Sequence, residues 1–292
     1  MSTASQGPSS WLPKLVIAPS FVLSLLFIYG LMAWNGYLSV SASRLLPNYE
    51  FVGLQHYVAL LDSDRFQVAM RNMAVFGFMF MGGAMALGIG LAILLDQKVR
   101  GEGVLRTIYL YPMAISFIVT GTAWKWILNP GLGLEHLMHS WGFTGFSFDW
   151  LIQQDMAIYC VVIAGVWQSA GFVMALFLAA LRGIDDSIIK AAQVDGASLP
   201  VIYWRIILPS LGPVFFSTLL VVAHLAIKSF DLVMALTAGG PGYATDLPAT
   251  FMYATAFTRG QIGVGAASAT VMLATVAAIV VPYLYSELRS KR

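Results

Sequence analysis

The sequence predicts an all-α polytopic membrane protein with six transmembrane helices and a structured cytoplasmic loop between the fourth and fifth. Three observations predict it. Of 292 residues, 59% are hydrophobic and only 10% charged, against about 25% charged in ordinary soluble domains. Mean hydropathy is +0.78. The apolar residues gather into six runs, each near the ~20 residues that a helix needs to cross a hydrocarbon core.

The runs are Leu15–Val40, Met73–Leu95, Leu105–Leu128, Ala157–Leu181, Leu211–Leu236 and Val264–Tyr285. The first is followed by small residues in "SVSAS", as a cleaved leader would be. Its apolar core is too long for that, since leaders carry about 7–15 such residues, so it reads as a retained span. With the N-terminus in the cytoplasm, the inner segments hold Lys14, Lys98, Arg100, Arg106, Arg182, Lys190, Arg205, Arg289, Lys291 and Arg292. The outer segments hold Arg44, Arg65, Arg71 and Arg259, while Lys125 and Lys228 lie in or near spans. Basic residues favour the cytoplasmic side, which places both termini there.

The organisation follows from these spans. Residues 1–14 form a cytoplasmic tail, with Met1–Ser10 read as disordered. Residues 15–72 hold the first span and an outer segment, 73–286 the five-span core, and 287–292 a cytoplasmic C-terminus. Outer text such as "NPGLG" (Asn129–Gly133) and "TAGGPGYATD" (Thr237–Asp246) is dense in Gly and Pro and marks loops. Net charge of +2 is too small to point to nucleic acid. No Cys/His cluster points to a metal, and the lone Cys160 has no partner for an intrachain disulfide.

The loop 182–210 is the most informative stretch. It reads "RGIDDSIIKAAQVDGASLPVIYWRIILP" from Arg182. Asp185 or Asp186 can cap a short helix over Ile188–Val194. Gly196 tolerates the left-handed angles that end one. Ser198 can cap a second helix with Pro200 in its first turn, and Pro209 is expected to break it before the fifth span. Two amphipathic helices that merely join spans would fit this pattern. The small face of Ala191 and Ala192, fixed by the Asp195–Gly196 turn, equally suits insertion into a groove on a partner.

The text "KAAQVDGA…WRIILPSLGP" resembles the signature loop of membrane subunits from binding-protein-dependent ABC importers. Ala191, Ala192, Asp195, Gly196, Ala197, Ile206, Leu208, Pro209 and Pro213 match it. Lys190 stands where that family carries a Glu that helps hold the ATPase. Either Asp185 or Asp186 substitutes for it, or the other half of the transporter carries the stronger coupling. "IKSFDLVMALTAGGPGYAT" (Ile227–Thr245), "MYATAF" (Met252–Phe257), "YPMAISF" (Tyr111–Phe117) and "GVWQSAGF" (Gly165–Phe172) resemble sugar permeases of the maltose/glycerol-phosphate group. The likeness is to the first of that group's two non-identical permeases.

That resemblance implies a heterodimer with a second permease, two cytoplasmic ATPase subunits and a periplasmic sugar-binding protein, in contact with membrane lipid. It implies that 182–210 is a coupling loop, and that ATP and Mg bind the partner ATPase subunits while this chain holds no cofactor. No GxxxxGK[ST] occurs, which agrees. The chain lacks the large periplasmic insertion of some oligosaccharide-importing relatives, which favours a monosaccharide such as glucose or mannose.

Candidate pathway residues lie on the fourth and fifth spans. Trp167, Gln168, Ser169 and Phe172 combine aromatic surface, amide and hydroxyl, although Trp167 equally suits helix packing. Lys228 and Asp231 stand three apart, where helical neighbours can pair, with Ser229 and Phe230 between them. A charge at the bilayer centre costs on the order of 3 kcal/mol, so this pair is either a neutralised packing contact or part of a pathway. Met113 and Phe117, after a kink at Pro112, read as core packing, Lys125 as an interfacial anchor and His224 as a hydrogen-bonded packing residue. A membrane protease or metallohydrolase fails for want of GxSG and HExxH text. An ion-coupled secondary transporter of small polar solutes is the alternative, with Asp231 its sole inner carboxylate.

Overall fold

The computed structural model describes residues 12–97 and 99–290. The expected tail Met1–Ser10 and the basic residues Lys98, Lys291 and Arg292 lie outside them. Helix accounts for nearly all the regular structure, and no strand occurs among the described residues beyond one isolated bridge, Ser41 to Phe51.

In chain order the helices are α1 (Leu12–Ser39), α2 (Gln55–Leu61), α3 (Asp64–Asp96), α4 (Glu102–Ala114), α5 (Phe117–Ile127), α6 (Leu134–Ser140) and α7 (Ala157–Leu181). There follow α8 (Asp186–Val194), α9 (Leu199–Ser210, with a π turn at Tyr203–Ile207), α10 (Gly212–Ile227), α11 (Phe230–Leu236), α12 (Pro248–Tyr253) and α13 (Ile262–Ser290). Among the described residues, four helices are long and apolar enough to cross a membrane unaided, and two bent pairs raise that to as many as six.

The chain forms two compact units, Met1–Leu61 with Met252–Val271, and Asp62–Phe251 with Met272–Arg292. In the first, the Asn35 amide donates to the Ala266 carbonyl at 3.2 Å and to Thr270 Oγ1 at 3.1 Å. Ser39 and Tyr57 hydroxyls bond at 2.7 Å, and His56 Nε2 meets the Ser41 carbonyl at 2.7 Å.

The second unit is centred on α3 and α7. Lipid tails are as apolar as leucine, so helices in a bilayer associate through close packing of small residues. Those residues are present. A Cβ on Gly83 would stand 2.8 Å from Val166 Cγ2, and one on Gly88 2.5 Å from Val173 Cβ. Phe76 and Phe80 stack at 5.3 Å, fully buried. Of the apolar window of α7, 67% is buried, against 0% for α1. The fourth span is the hub.

Two expected continuous spans are interrupted. The third bends by 102° between α4 and α5. Pro112 lies buried within α4, and the break falls three residues later, at Ile115, whose ψ is 152°. Ser116 then caps α5 by accepting from the Val119 amide at 3.3 Å. The break thus falls beyond the proline rather than at it. The separation occurs where a cap and a substitute hydrogen-bond partner are both at hand.

The fifth span divides at Lys228–Ser229 into α10 and α11. Ser229 Oγ donates back to the Leu225 carbonyl at 2.8 Å, the i−4 pattern that bends helices. Pro209 follows the π turn, and its helix ends one residue later, before the fifth span as expected. It sits in the last turn of α9, and the 71° bend to α10 comes at Leu211.

Candidate coupling loop and translocation face

The loop 182–210 is fixed by its caps. Asp185 Oδ1 accepts from the Ser187 amide at 2.8 Å. That bond holds the Asp185 carboxyl below the ordinary carboxylate range. At the other end of α8, the Ala197 amide reaches the Ala192 carbonyl and the Gly196 amide the Gln193 carbonyl, each at 3.0 Å. This paired pattern needs a left-handed residue after the cap, and Gly196 supplies it with φ +82°. Ser198 precedes α9 as expected, with Pro200 in the first turn, but its side chain makes no capping bond.

The alanine pair divides between two surfaces, since Ala192 is buried and Ala191 exposed. Ala197 is half-buried. Asp186, Lys190, Asp195 and Gly196 are exposed, as are Ile188 and Val194, the latter at 88%. Lys190 has no ion pair among the described residues.

Behind the loop lie contacts that the sequence did not announce. Tyr203 Oη donates to Asp96 Oδ2 at 2.5 Å and accepts from Gln97 Nε2 at 2.8 Å. Burial, followed by the bond to Asp96, pushes the Tyr203 hydroxyl up to about 12. Arg182 pairs with Glu102 at 2.7 Å. A cavity of about 540 Å³ lies among them, lined also by Ile184, Asp186 and Ile189. These partners stand roughly eighty to a hundred residues apart, and no local spacing signals them.

On the fourth span, Gln168 is only 4% exposed, and its Nε2 donates to the Ile115 carbonyl at 2.9 Å. The carbonyl freed by the break in the third span thus finds its partner there. Gln168 Oε1 is buried without a hydrogen-bond partner. Trp167 meets Trp124 edge to face at 5.8 Å. Ser169 is buried and Phe172 half-buried.

The fifth span departs most from expectation. Lys228 and Asp231 flank the helix break, both exposed, and no ion pair joins them among the described residues. The pairing expected on one continuous helix fails because the helix is not continuous. Ser229 is buried and its hydroxyl is committed to Leu225. His224 is exposed, with no side-chain hydrogen bond among the described residues, so it is not a packing residue of this chain. Met113 is 50% exposed and also leaves the core, because it sits just before the turn that swings α5 away. Phe117 is half-buried against the core. Lys125 is exposed.

The loop Thr237–Asp246 is pinned in place. Asp246, buried, pairs with Arg65 at 2.5 Å. Arg65 also lies 4.4 Å over the Tyr243 ring. The Asn72 amide donates to the Ala244 and Asp246 carbonyls at 3.0 Å and to that of Tyr243 at 3.3 Å. The Gly/Pro text marked the loop, but nothing marked Arg65 and Asn72 as its anchors.

A helical bundle with two interrupted spans and a capped helical elbow at one end defines a polytopic permease. Residues 84–290 match the family described as the binding-protein-dependent transport system inner membrane component, and the chain belongs to it. It is 38% identical over 273 residues to a probable ABC transporter permease of Pyrococcus horikoshii, covering 93% of this chain and 94% of that one. A xylose/arabinose import permease of Haloferax volcanii is 36% identical over 91% of this chain and 84% of its own. Among solved structures, a bacterial ABC transporter involved in importing the acidic polysaccharide alginate matches with a TM-score of 0.82. It is 23% identical over 97% of this chain and 96% of that one, a likeness of fold.

Proposed function

We propose that this chain forms the translocation pathway of an ATP-driven importer for a monosaccharide such as glucose or mannose, delivered by a periplasmic binding protein. ATP and Mg act on two separate cytoplasmic ATPase subunits. A second, non-identical permease completes the pathway, both termini face the cytoplasm, and residues 73–286 are the permease core.

The observation that carries this reading is the elbow. It is capped at both ends of α8 by Asp185 and Gly196, and it presents Ile188, Ala191, Val194 and Asp195 unburied on its outer side. Such a helix suits a groove on a partner. The charges Lys228 and Asp231 on the fifth span and Gln168 on the fourth supply polar groups along spans that are otherwise apolar. The pentose named for the Haloferax volcanii relative supports a monosaccharide.

The test is reconstitution of the four-subunit complex in vesicles with its binding protein. Labelled glucose or mannose should enter only with ATP inside the compartment that the elbow faces. Entry into vesicles that hold this chain alone, without nucleotide, would overturn the reading.

A further inference from the structure

The elbow does not rest only on its own span ends. Its inner side is tied across the bundle to the turn that joins the second and third spans. Tyr203, in the π turn of α9, reaches Asp96 and Gln97 at the end of α3, and Arg182, just after α7, reaches Glu102 in the first turn of α4. Between these two ties lies the cavity of about 540 Å³, with Asp186 and Ile189 of α8 on one wall and Asp96 and Glu102 on the other. Around this space the elbow also packs on the bundle core through Ala192, Ile202 and Ile207, and the hydrogen bond and the ion pair add directional ties across it.

The two ties differ in strength. The Arg182–Glu102 pair is partly exposed, with side chains 41% and 23% accessible, and such pairs contribute little. Tyr203 is 9% exposed, and its hydroxyl faces a carboxylate at 2.5 Å. Hydrogen bonds to a charged acceptor in a sheltered site are about twice as strong as neutral ones. The hydroxyl stays protonated throughout the physiological range, since burial and Asp96 push it up to about 12, so it remains a donor.

We infer that Tyr203 and Asp96 are positioning residues that fasten the elbow to the second span, so that movement of the elbow is delivered to α3 and, through its packing on α7, to the centre of the bundle. This rests on the reading of the elbow as the ATPase docking element. The part of these residues is to hold the loop 182–210 fast to the end of α3 at Asp96 and Gln97.

The experiment uses the reconstituted complex and reads three quantities: ATPase co-purified with the membrane subunits, ATP hydrolysed, and labelled sugar taken up. Tyr203→Phe removes the hydroxyl and keeps the buried ring. It should retain the ATPase and its hydrolysis while sugar moved per ATP falls by about tenfold, the scale of one lost charge-assisted bond. Asp96→Asn keeps a neutral acceptor oxygen and should stay within about threefold of the parent, whereas Asp96→Leu should behave as Tyr203→Phe. Parental sugar per ATP in Tyr203→Phe and Asp96→Leu would overturn the fastening and leave the docking reading standing. Equal losses in Asp96→Asn and Asp96→Leu would also overturn it, since the acceptor would then not be what matters. Failure of the parent complex to couple uptake to ATP would sink both.

Discussion

The side-chain amide of Gln168 donates to the carbonyl oxygen of Ile115, joining the fourth span to the break in the third. A carbonyl without an amide partner in an apolar bundle is costly, so this bond is what allows the bend of 102° to persist. Gln168→Leu removes the donor, at a cost of about 1–3 kcal/mol, and also removes an orphaned acceptor, which offsets part of it. The net loss should be about 1 kcal/mol, read as a lower unfolding temperature in detergent. An unchanged midpoint would mean that the bend is held elsewhere.

Gly196 is tested by backbone angle rather than by contact. Nothing stands within 4 Å of its missing Cβ, yet its φ is +82°. Gly196→Val should cost about 1–2 kcal/mol at that angle, loosen the end of α8 and release the ATPase from membranes. Full retention of the ATPase in a pull-down would count against the docking role of the elbow.

The Asp185 cap carries a pH dependence of definite sign. Its carboxyl is held below its ordinary value by the Ser187 amide. The bond therefore contributes fully above the ordinary carboxylate range and is lost as pH falls through the lowered value. Protection factors at Ser187 and Ile188, which compare exchange with the intrinsic rate at the same pH, should be high at neutral pH and fall on acidification below that range. Asp185→Ala should show the low protection factor at every pH.

Lys228 and Asp231 stand unpaired on either side of the helix break. A double-mutant cycle of Lys228→Ala with Asp231→Ala should therefore give a stability coupling below about 0.5 kcal/mol. Uptake should fall in Asp231→Ala while ATP hydrolysis with binding protein persists. A coupling well above that limit would restore the ion pair.

Arg65 and Asp246 make the opposite case. Asp246 is 1% exposed, and removing one partner of a buried pair costs about 3–5 kcal/mol. Arg65→Ala should approach that figure in a denaturation midpoint, and Arg65→Lys should recover part of it. Near-identity of Arg65→Ala with the parent would place the loop's stability in the Asn72 bonds alone.

The spans were legible because hydropathy is local and additive, and Ala157–Leu181 was bounded to the residue. The elbow was legible because caps are local too. Asp185, Gly196 and Pro200 each act within a few positions. The residues at which the spans bend were not. Pro112 and Pro209 are the residues that local rules single out, yet the chain bends at Ile115 and Leu211. In each case the bend sits where tertiary partners or a fresh cap accept the freed groups. The ties from Tyr203 to Asp96 and from Arg65 to Asp246 join positions 107 and 181 apart, and only folding brings them together.

The helix Leu12–Ser39 shows what the reverse condition permits. From Leu15 to Leu31 its large side chains are mostly more than half exposed within the chain. Within this chain, interlocking with neighbours asks little of their shape, and oiliness and length are the main demands it makes of them. Drift should be fast there, with leucine, isoleucine, valine and phenylalanine trading places freely. Ala157–Leu181, with 67% of its apolar window buried, should change far less.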